Sequence, residues 1–142
     1  MDPLTRIAME HGQFYEALAV FKQALSLQQE ENCTDIDKLS KFFNDLIVPH
    51  FQFEEARLFP LMFDRGTSEE KRLTEELKKE HLAILKNIDE ISNAVQTREV
   101  MAKYKDDQFI AMLHGTIKAM LDHARKEDSS FYPNIRKYLL NK

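Results

Sequence analysis

A chain of 142 residues, 43% of them hydrophobic, is long enough to bury one real core, so a single domain spanning 1–142 is expected. Its 24 acidic and 20 scattered basic residues give a net charge of −4, which argues against a nucleic-acid groove or an anionic membrane surface as partner. Cys33 is the only cysteine, so no internal disulfide can form. No apolar run approaches the ~20 residues of a membrane span, and Met1–Leu4 shows no signal-peptide pattern. A cytoplasmic location is therefore expected.

Three glycines and four prolines are too few for a turn-rich β-fold, and the dominance of Leu, Ala, Glu, Lys and Gln predicts an all-α protein. Ile7, His11, Phe14, Leu18, Phe21 and Leu25 alternate steps of four and three, the seam of an amphipathic helix. A polar stretch from Gln28 to Asp35 follows, in which Thr34 or Asp35 can cap the next helix. The second seam runs through Ile36, Leu39, Phe43, Leu46, His50, Phe53 and Leu61 to Asp64-Arg65-Gly66, where Gly66 suits a left-handed end turn. Thr67-Ser68-Glu69-Glu70 reads as a capping box opening a third helix, with its seam at Leu73, Leu77, His81, Ile84, Ile88, Ile91 and Val95. After a break around Thr97 to Asp106, the residues Phe109, Leu113, Met120, His123, Glu127 and Phe131 mark a fourth. Four long helices with short connections predict an antiparallel up-down-up-down four-helix bundle. Pro49 removes a backbone donor within the second helix and should kink or bulge it, either as a tolerated irregularity or as a device that aims His50 inward.

One phrase is written twice. His50-Phe-Gln-Phe-Glu54-Glu55 leads to Phe59-Pro60, and His123-Ala-Arg-Lys-Glu127-Asp128 leads to Tyr132-Pro133 at the same interval. The helices are expected to bend or loosen at these matching prolines. His and Glu four apart share one helix face, one turn apart, and so offer a nitrogen and an oxygen to one metal. His11 and His81, each preceded by Glu, add one imidazole to each half. Any one histidine on an apolar seam could be an ordinary core residue. Four of them with two seam glutamates would be costly to bury without a shared cation. His114 lies nine positions before His123, about 180° round the helix, and is expected at the surface. The candidate metal ligands are thus His11, His50, Glu54, His81, His123 and Glu127. Imidazole with carboxylate suits iron, manganese or zinc, and bridging by Glu54 and Glu127 suits a dinuclear centre with a solvent-derived bridge and an open position on each metal. Phe14, Tyr15, Phe43, Phe53 and Phe131 read as core filler at or near the seams, and Met9, Met62, Met101, Met112 and Met120 as packing.

The doubled pattern resembles the hemerythrin-like, HHE cation-binding family from His11 to Pro133, so the whole chain reads as one hemerythrin-like domain. The resemblance implies that His11, His50 and Glu54 are ligands from one half and His81, His123 and Glu127 from the other. The two glutamates would bridge two iron ions, which would also share an oxo or hydroxo bridge, with iron ahead of manganese or zinc. The implied partner is a small diatomic ligand (dioxygen or nitric oxide) or peroxide. Glu10, Glu55, Glu80 and Asp128, beside these positions, would either orient imidazole N–H groups or be solvated surface acids. Tyr15 sits within one turn of His11 and could reach a metal-bound ligand.

Oxygen-carrying hemerythrins take a fifth imidazole from an i, i+4 His pair on the third helix, where this chain has Leu77 and Leu85 on either side of His81. They also use a longer His-to-acid spacing on the last helix. The four-His, two-Glu set is similar to di-iron proteins of iron-sulfur cluster repair and nitrosative stress, although those carry a preceding cysteine-bearing domain. Three functions are therefore expected to compete. One is a di-iron centre binding dioxygen, nitric oxide or peroxide. Another is turnover of peroxide or nitric oxide, cluster repair, or iron storage or sensing. The last is a metal-free helical interaction module.

Overall fold

The computed structural model describes residues 3–26 and 32–140, so the first half of the polar stretch expected from Gln28 to Asp35 lies outside the described residues. The chain begins with α1 (Pro3–Ala24). A second long rod joins α2 (Asn32–Phe42), a π-helical turn at Phe43–Ile47, α3 (Val48–Phe53), a second π turn at Glu54–Leu58 and α4 (Phe59–Arg65). The third rod is α5 (Ser68–Gln96), and the short α6 (Val100–Lys103) lies in the expected break. The fourth rod joins α7 (Asp107–Lys126), a π turn at Glu127–Phe131 and α8 (Tyr132–Leu140). No strand occurs among the described residues. The fold is all-α, a four-helix bundle in which α1 packs on α2 and α7, α5 packs on α2, α4 and α7, and α4 meets α8.

All three π turns end two residues before a proline. The N–H of Val48 bonds to the Phe43 carbonyl, that of Phe59 to Glu54 and that of Tyr132 to Glu127, each a bond spanning five residues. Proline cannot donate to the carbonyl four residues back, and its ring crowds that carbonyl. A widened turn relieves the crowding and inserts one residue into the helical repeat. Pro49, Pro60 and Pro133 therefore bulge the helix, as expected for Pro49 and at matching places for the other two.

The insertions shift the seam. A repeat of 3.6 puts Leu46, Phe53 and Leu61 in the core, yet Leu46 is 43% exposed and the other two are half-buried. Ile47, Phe51, Leu58 and Met62 are buried instead. Phe43, Ile47 and Phe51 advance in steps of four, as do His50, Glu54, Leu58 and Met62, the spacing an underwound rod requires.

Other local readings also change. The second rod already begins at Asn32, so Thr34 and Asp35 lie in its first turn, where Asp35 complements the helix dipole, and do not precede it. Gly66 is extended, at φ −72° and ψ 159°, and not left-handed. Its requirement for glycine is steric: an added Cβ would lie 2.5 Å from the Met62 carbonyl oxygen. Among the described residues the left-handed conformation falls instead at Arg98, at φ 62°, in the break after α5. Met9 is 54% exposed and does no packing, whereas Met62 and Met120 are buried. His114 is half-buried, and its Nε2 donates to the Leu25 carbonyl at 3.2 Å, capping the end of α1 far from the other histidines.

The capping box forms as expected. Thr67 Oγ1 accepts from the Glu70 N–H at 3.2 Å, and the Glu70 carboxylate accepts from the Thr67 N–H at 2.9 Å. Tyr138 and Lys137 from α8 also donate to Glu70, tying the start of α5 to the end of the chain. Burial disfavours the Glu70 charge, but these donors together outweigh it and hold the carboxyl at about 2. Glu70→Gln should therefore cost about 1 to 2 kcal/mol at neutral pH, read by urea unfolding. Because the folded-state value is depressed, that contribution is present above the unfolded value of about 4.3 and fades as the pH falls toward 2. The two proteins should converge in stability across that window, and a difference constant with pH would refute the assignment.

Candidate metal centre

Two apolar clusters fill the bundle, and the candidate ligands lie where they meet. Phe14, Leu18, Phe43, Ile47, Phe51, Ile84, Leu113 and Met120 belong to the larger cluster. Ile7, Leu58, Phe59, Met62, Leu77, Phe131, Tyr132 and Ile135 form the smaller one. His11 falls between Ile7 and Phe14, His81 between Leu77 and Ile84, and His123 and Glu127 between Met120 and Phe131. His50 and Glu54 fall between Ile47 and Leu58. None of the six candidates is more than 1% exposed.

The four imidazoles meet in two pairs. His11 Nε2 lies 3.2 Å from His50 Nε2, and His81 Nε2 lies 3.1 Å from His123 Nε2. Each glutamate stands between the pairs. Glu54 Oε1 is 3.6 Å from His50 Nε2 and 3.2 Å from His81 Nε2. Glu127 approaches His11 Nε2 at 3.4 Å through Oε1 and His123 Nε2 at 3.5 Å through Oε2. Two groups with the spacing of a metal site result: Glu54, His81, His123 and Glu127, and His11, His50 and Glu127.

The acids next to the candidate ligands set the imidazole tautomers. Asp128 faces His11 Nδ1 at 2.9 Å, Glu10 faces His50 Nδ1 at 3.3 Å and Glu80 faces His123 Nδ1 at 2.7 Å. The pairing is crossed between helices: the acid beside His11 serves His50, and the acid beside His81 serves His123. An ionised carboxylate only accepts, so each of these Nδ1 atoms carries the hydrogen and each neutral ring presents a lone pair at Nε2. Glu55 stops 3.9 Å from His81 Nδ1, which is left without a hydrogen bond. Further groups brace the acids: Arg6 bonds Glu10, Lys126 bonds Glu80, and Tyr15 donates to Asp128. Tyr15 thus reaches the acid behind His11.

Facing lone pairs and buried carboxylates make the site electron-rich and short of donors. Among the described residues, the buried oxygens Glu54 Oε1 and Glu127 Oε2 lack any hydrogen-bond partner. Burial lowers the proton affinity of His11, but bonds to Asp128 and Glu127 outweigh it and raise its pKa to about 9. Burial and the adjacent Glu54 drive Glu127 well above the usual carboxylate range. Burial opposes ionisation of Glu54 as well, yet Glu127 and the histidines hold its carboxyl below that range. Protons are thus drawn into the positions where cations would neutralise the same charge. The donor set fits a metal.

Sequence reasoning did not single out Tyr132. Its hydroxyl lies 2.6 Å from Glu54 Oε2, 3.2 Å from Glu127 Oε1 and 3.1 Å from His11 Nε2. Five residues beyond Glu127, it would point about 140° away on a regular α-helix. The π turn inserts one residue and brings Tyr132 onto the face of Glu127. The signal was the aromatic residue before each motif proline, which carries a hydroxyl in one half and none in the other.

The family model for the Hemerythrin HHE cation binding domain matches residues 2–135. No curated protein and no solved structure gives a significant match. Among the described residues no helix is long and apolar enough to cross a membrane.

Glu80 and Glu55 provide an internal comparison, since only Glu80 bonds an imidazole. Glu80→Ala should weaken metal binding about 10- to 100-fold in a competitive chelator titration. Glu55→Ala should change it much less, and equal losses would contradict the geometry.

Proposed function

The chain belongs to the hemerythrin HHE cation-binding domain family, and we propose that it is a non-haem di-iron protein whose centre binds or reacts with dioxygen, nitric oxide or peroxide. The observation that carries this reading is the set of Nδ1 bonds to Asp128, Glu10 and Glu80, which turns buried Nε2 lone pairs inward against two buried carboxylates. His11, His50 and Glu127 would hold one iron, and His81, His123, Glu54 and Glu127 the other. Glu54 and Glu127, each placed between the two imidazole pairs, would be shared. Manganese and zinc also suit such donors, but zinc has no redox chemistry with which to meet these ligands.

The bound irons would supply redox change and open coordination positions; the chain's own groups set the environment. Phe51 stacks on His81 with 3.8 Å between ring centroids, and Phe59 covers the same imidazole at 5.1 Å. These rings exclude water and fix the imidazole plane, which His81 needs because Glu55 does not hold its Nδ1. Asp128, Glu10 and Glu80 keep the other three rings oriented and raise their basicity as ligands.

Turnover is favoured over reversible carriage by one feature. Both positions a turn from His81 are leucines, with Leu77 fully buried and Leu85 packed against the core, so no fifth imidazole closes the centre. In stopped-flow spectra, rapid oxidation with consumption of peroxide is expected. A stable oxygenated band would indicate a carrier.

Anaerobic reconstitution should load two irons per chain, and fewer than one would overturn the proposal. Loading should raise the midpoint of thermal unfolding, since a ligand at 100-fold its dissociation constant adds about 2.7 kcal/mol. Replacing His50 and Glu54 together by alanine should abolish that rise. If stability with and without metal is unchanged by the replacement, the domain is a metal-free interaction module.

A further inference from the structure

Resting on the dimetal reading, we propose that Tyr132 is a seventh ligand: its phenolic oxygen coordinates the metal held by His11 and His50, leaving the His81–His123 metal as the one that takes an external ligand. Donors at about 2.1 Å from a common octahedral metal stand about 3.0 Å apart when they are neighbours in its shell. Tyr132 Oη meets this spacing with His11 Nε2 at 3.1 Å and Glu127 Oε1 at 3.2 Å. The pair His11 Nε2 and His50 Nε2, at 3.2 Å, matches it as well.

The internal repeat tests the placement. Nine residues after His50 stands Phe59, and nine after His123 stands Tyr132, each following a π turn and preceding a proline. Phe59 lies 5.1 Å from the His81 ring and Tyr132 lies 5.2 Å from the His11 ring, so the two occupy equivalent corners. One corner carries an oxygen; the other carries only ring carbons. The metal beside Phe59 therefore lacks a protein donor at that corner. On coordination the phenol O–H bond breaks, the oxygen–metal bond forms and the proton leaves to solvent. In the metal-free protein that hydrogen is donated to the two glutamates, chiefly to Glu54 Oε2 at 2.6 Å.

The test uses the full chain reconstituted with iron and oxidised. The expected result is two irons, a visible phenolate-to-iron(III) charge-transfer band with tyrosine modes in its resonance Raman spectrum, and one azide bound per centre. Tyr132→Phe should keep two irons, lose the band and bind a second azide. Tyr15→Phe, which alters the nearest other tyrosine, should keep the band. Phe59→Tyr should gain a second phenolate, roughly doubling the band, and lose azide binding; it also serves if Tyr132→Phe fails to fold. Two irons with no phenolate band, or a band that survives Tyr132→Phe, would overturn this inference and leave the di-iron reading standing. Fewer than one iron per chain would overturn both.

Discussion

The structure depends on one electrostatic constraint: four buried imidazoles crowd two buried carboxylates, and three of the rings turn acceptor nitrogens toward them. Burying even one unpaired polar group costs about 1 to 3 kcal/mol on mutational scales, and more for a charge. Here the acids on the rim make the interior problem sharper. By accepting at Nδ1, Asp128, Glu10 and Glu80 commit three rings to presenting lone pairs at the centre. The same bonds that orient the rings thus generate the deficit of positive charge. The apolar clusters above and below offer it no polar partner, so the fold concentrates the demand on whatever cations enter.

The prolines satisfy a geometric constraint that regular helices could not. A strict 3.6-residue repeat rotates successive His, Glu and aromatic positions away from one another. Each π turn holds back that rotation by one residue. In the second rod His50, Glu54 and Leu58 follow in steps of four, and in the fourth so do His123, Glu127 and Phe131. Glu54 and Glu127 open their π turns, so the bulge that accommodates proline is also the bulge that aims what comes next. The prolines therefore act on the site through the backbone, without touching it.

Much of this was legible in the residues themselves. The helix count, the capping box at Thr67, the break before Asp106 and the four seam histidines all follow from periodicity and turn chemistry, which are local. The register after Phe43 was not legible, because a single inserted residue moves Leu46 out and Ile47 in while leaving the composition unchanged. Gly66 misled for a related reason: glycine marks both left-handed turns and close backbone approaches, and only coordinates separate them. Tyr132 was hidden by the same arithmetic, since position i+5 is discounted on an α-helix. The outer acids could not be assigned in advance. Which imidazole each one reaches depends on crossing between helices, and Glu55 shows that an equivalent sequence position need not make an equivalent bond.

The duplicated motif makes the departures from symmetry informative. The frame is repeated closely enough that Glu10 and Glu80 each bond the histidine of the neighbouring rod. Against that background three of the pairs that differ bear on how His11 and His81 are held. Asp128 bonds its imidazole where Glu55 falls short, Tyr132 brings a hydroxyl where Phe59 has none, and Phe51 stacks on His81 where the other half has Ala124. All three changes act in one direction. The His11 side gains polar contacts and a braced ring, and His81 loses hydrogen bonds and lies stacked on Phe51 and Phe59. On the dimetal reading, a less braced imidazole in an apolar lining would be a weaker electron donor in a medium of lower polarity, and a metal held there would be the more electrophilic of the two. Sequence repetition built the cage, and the substitutions between its halves make its two sides chemically unequal.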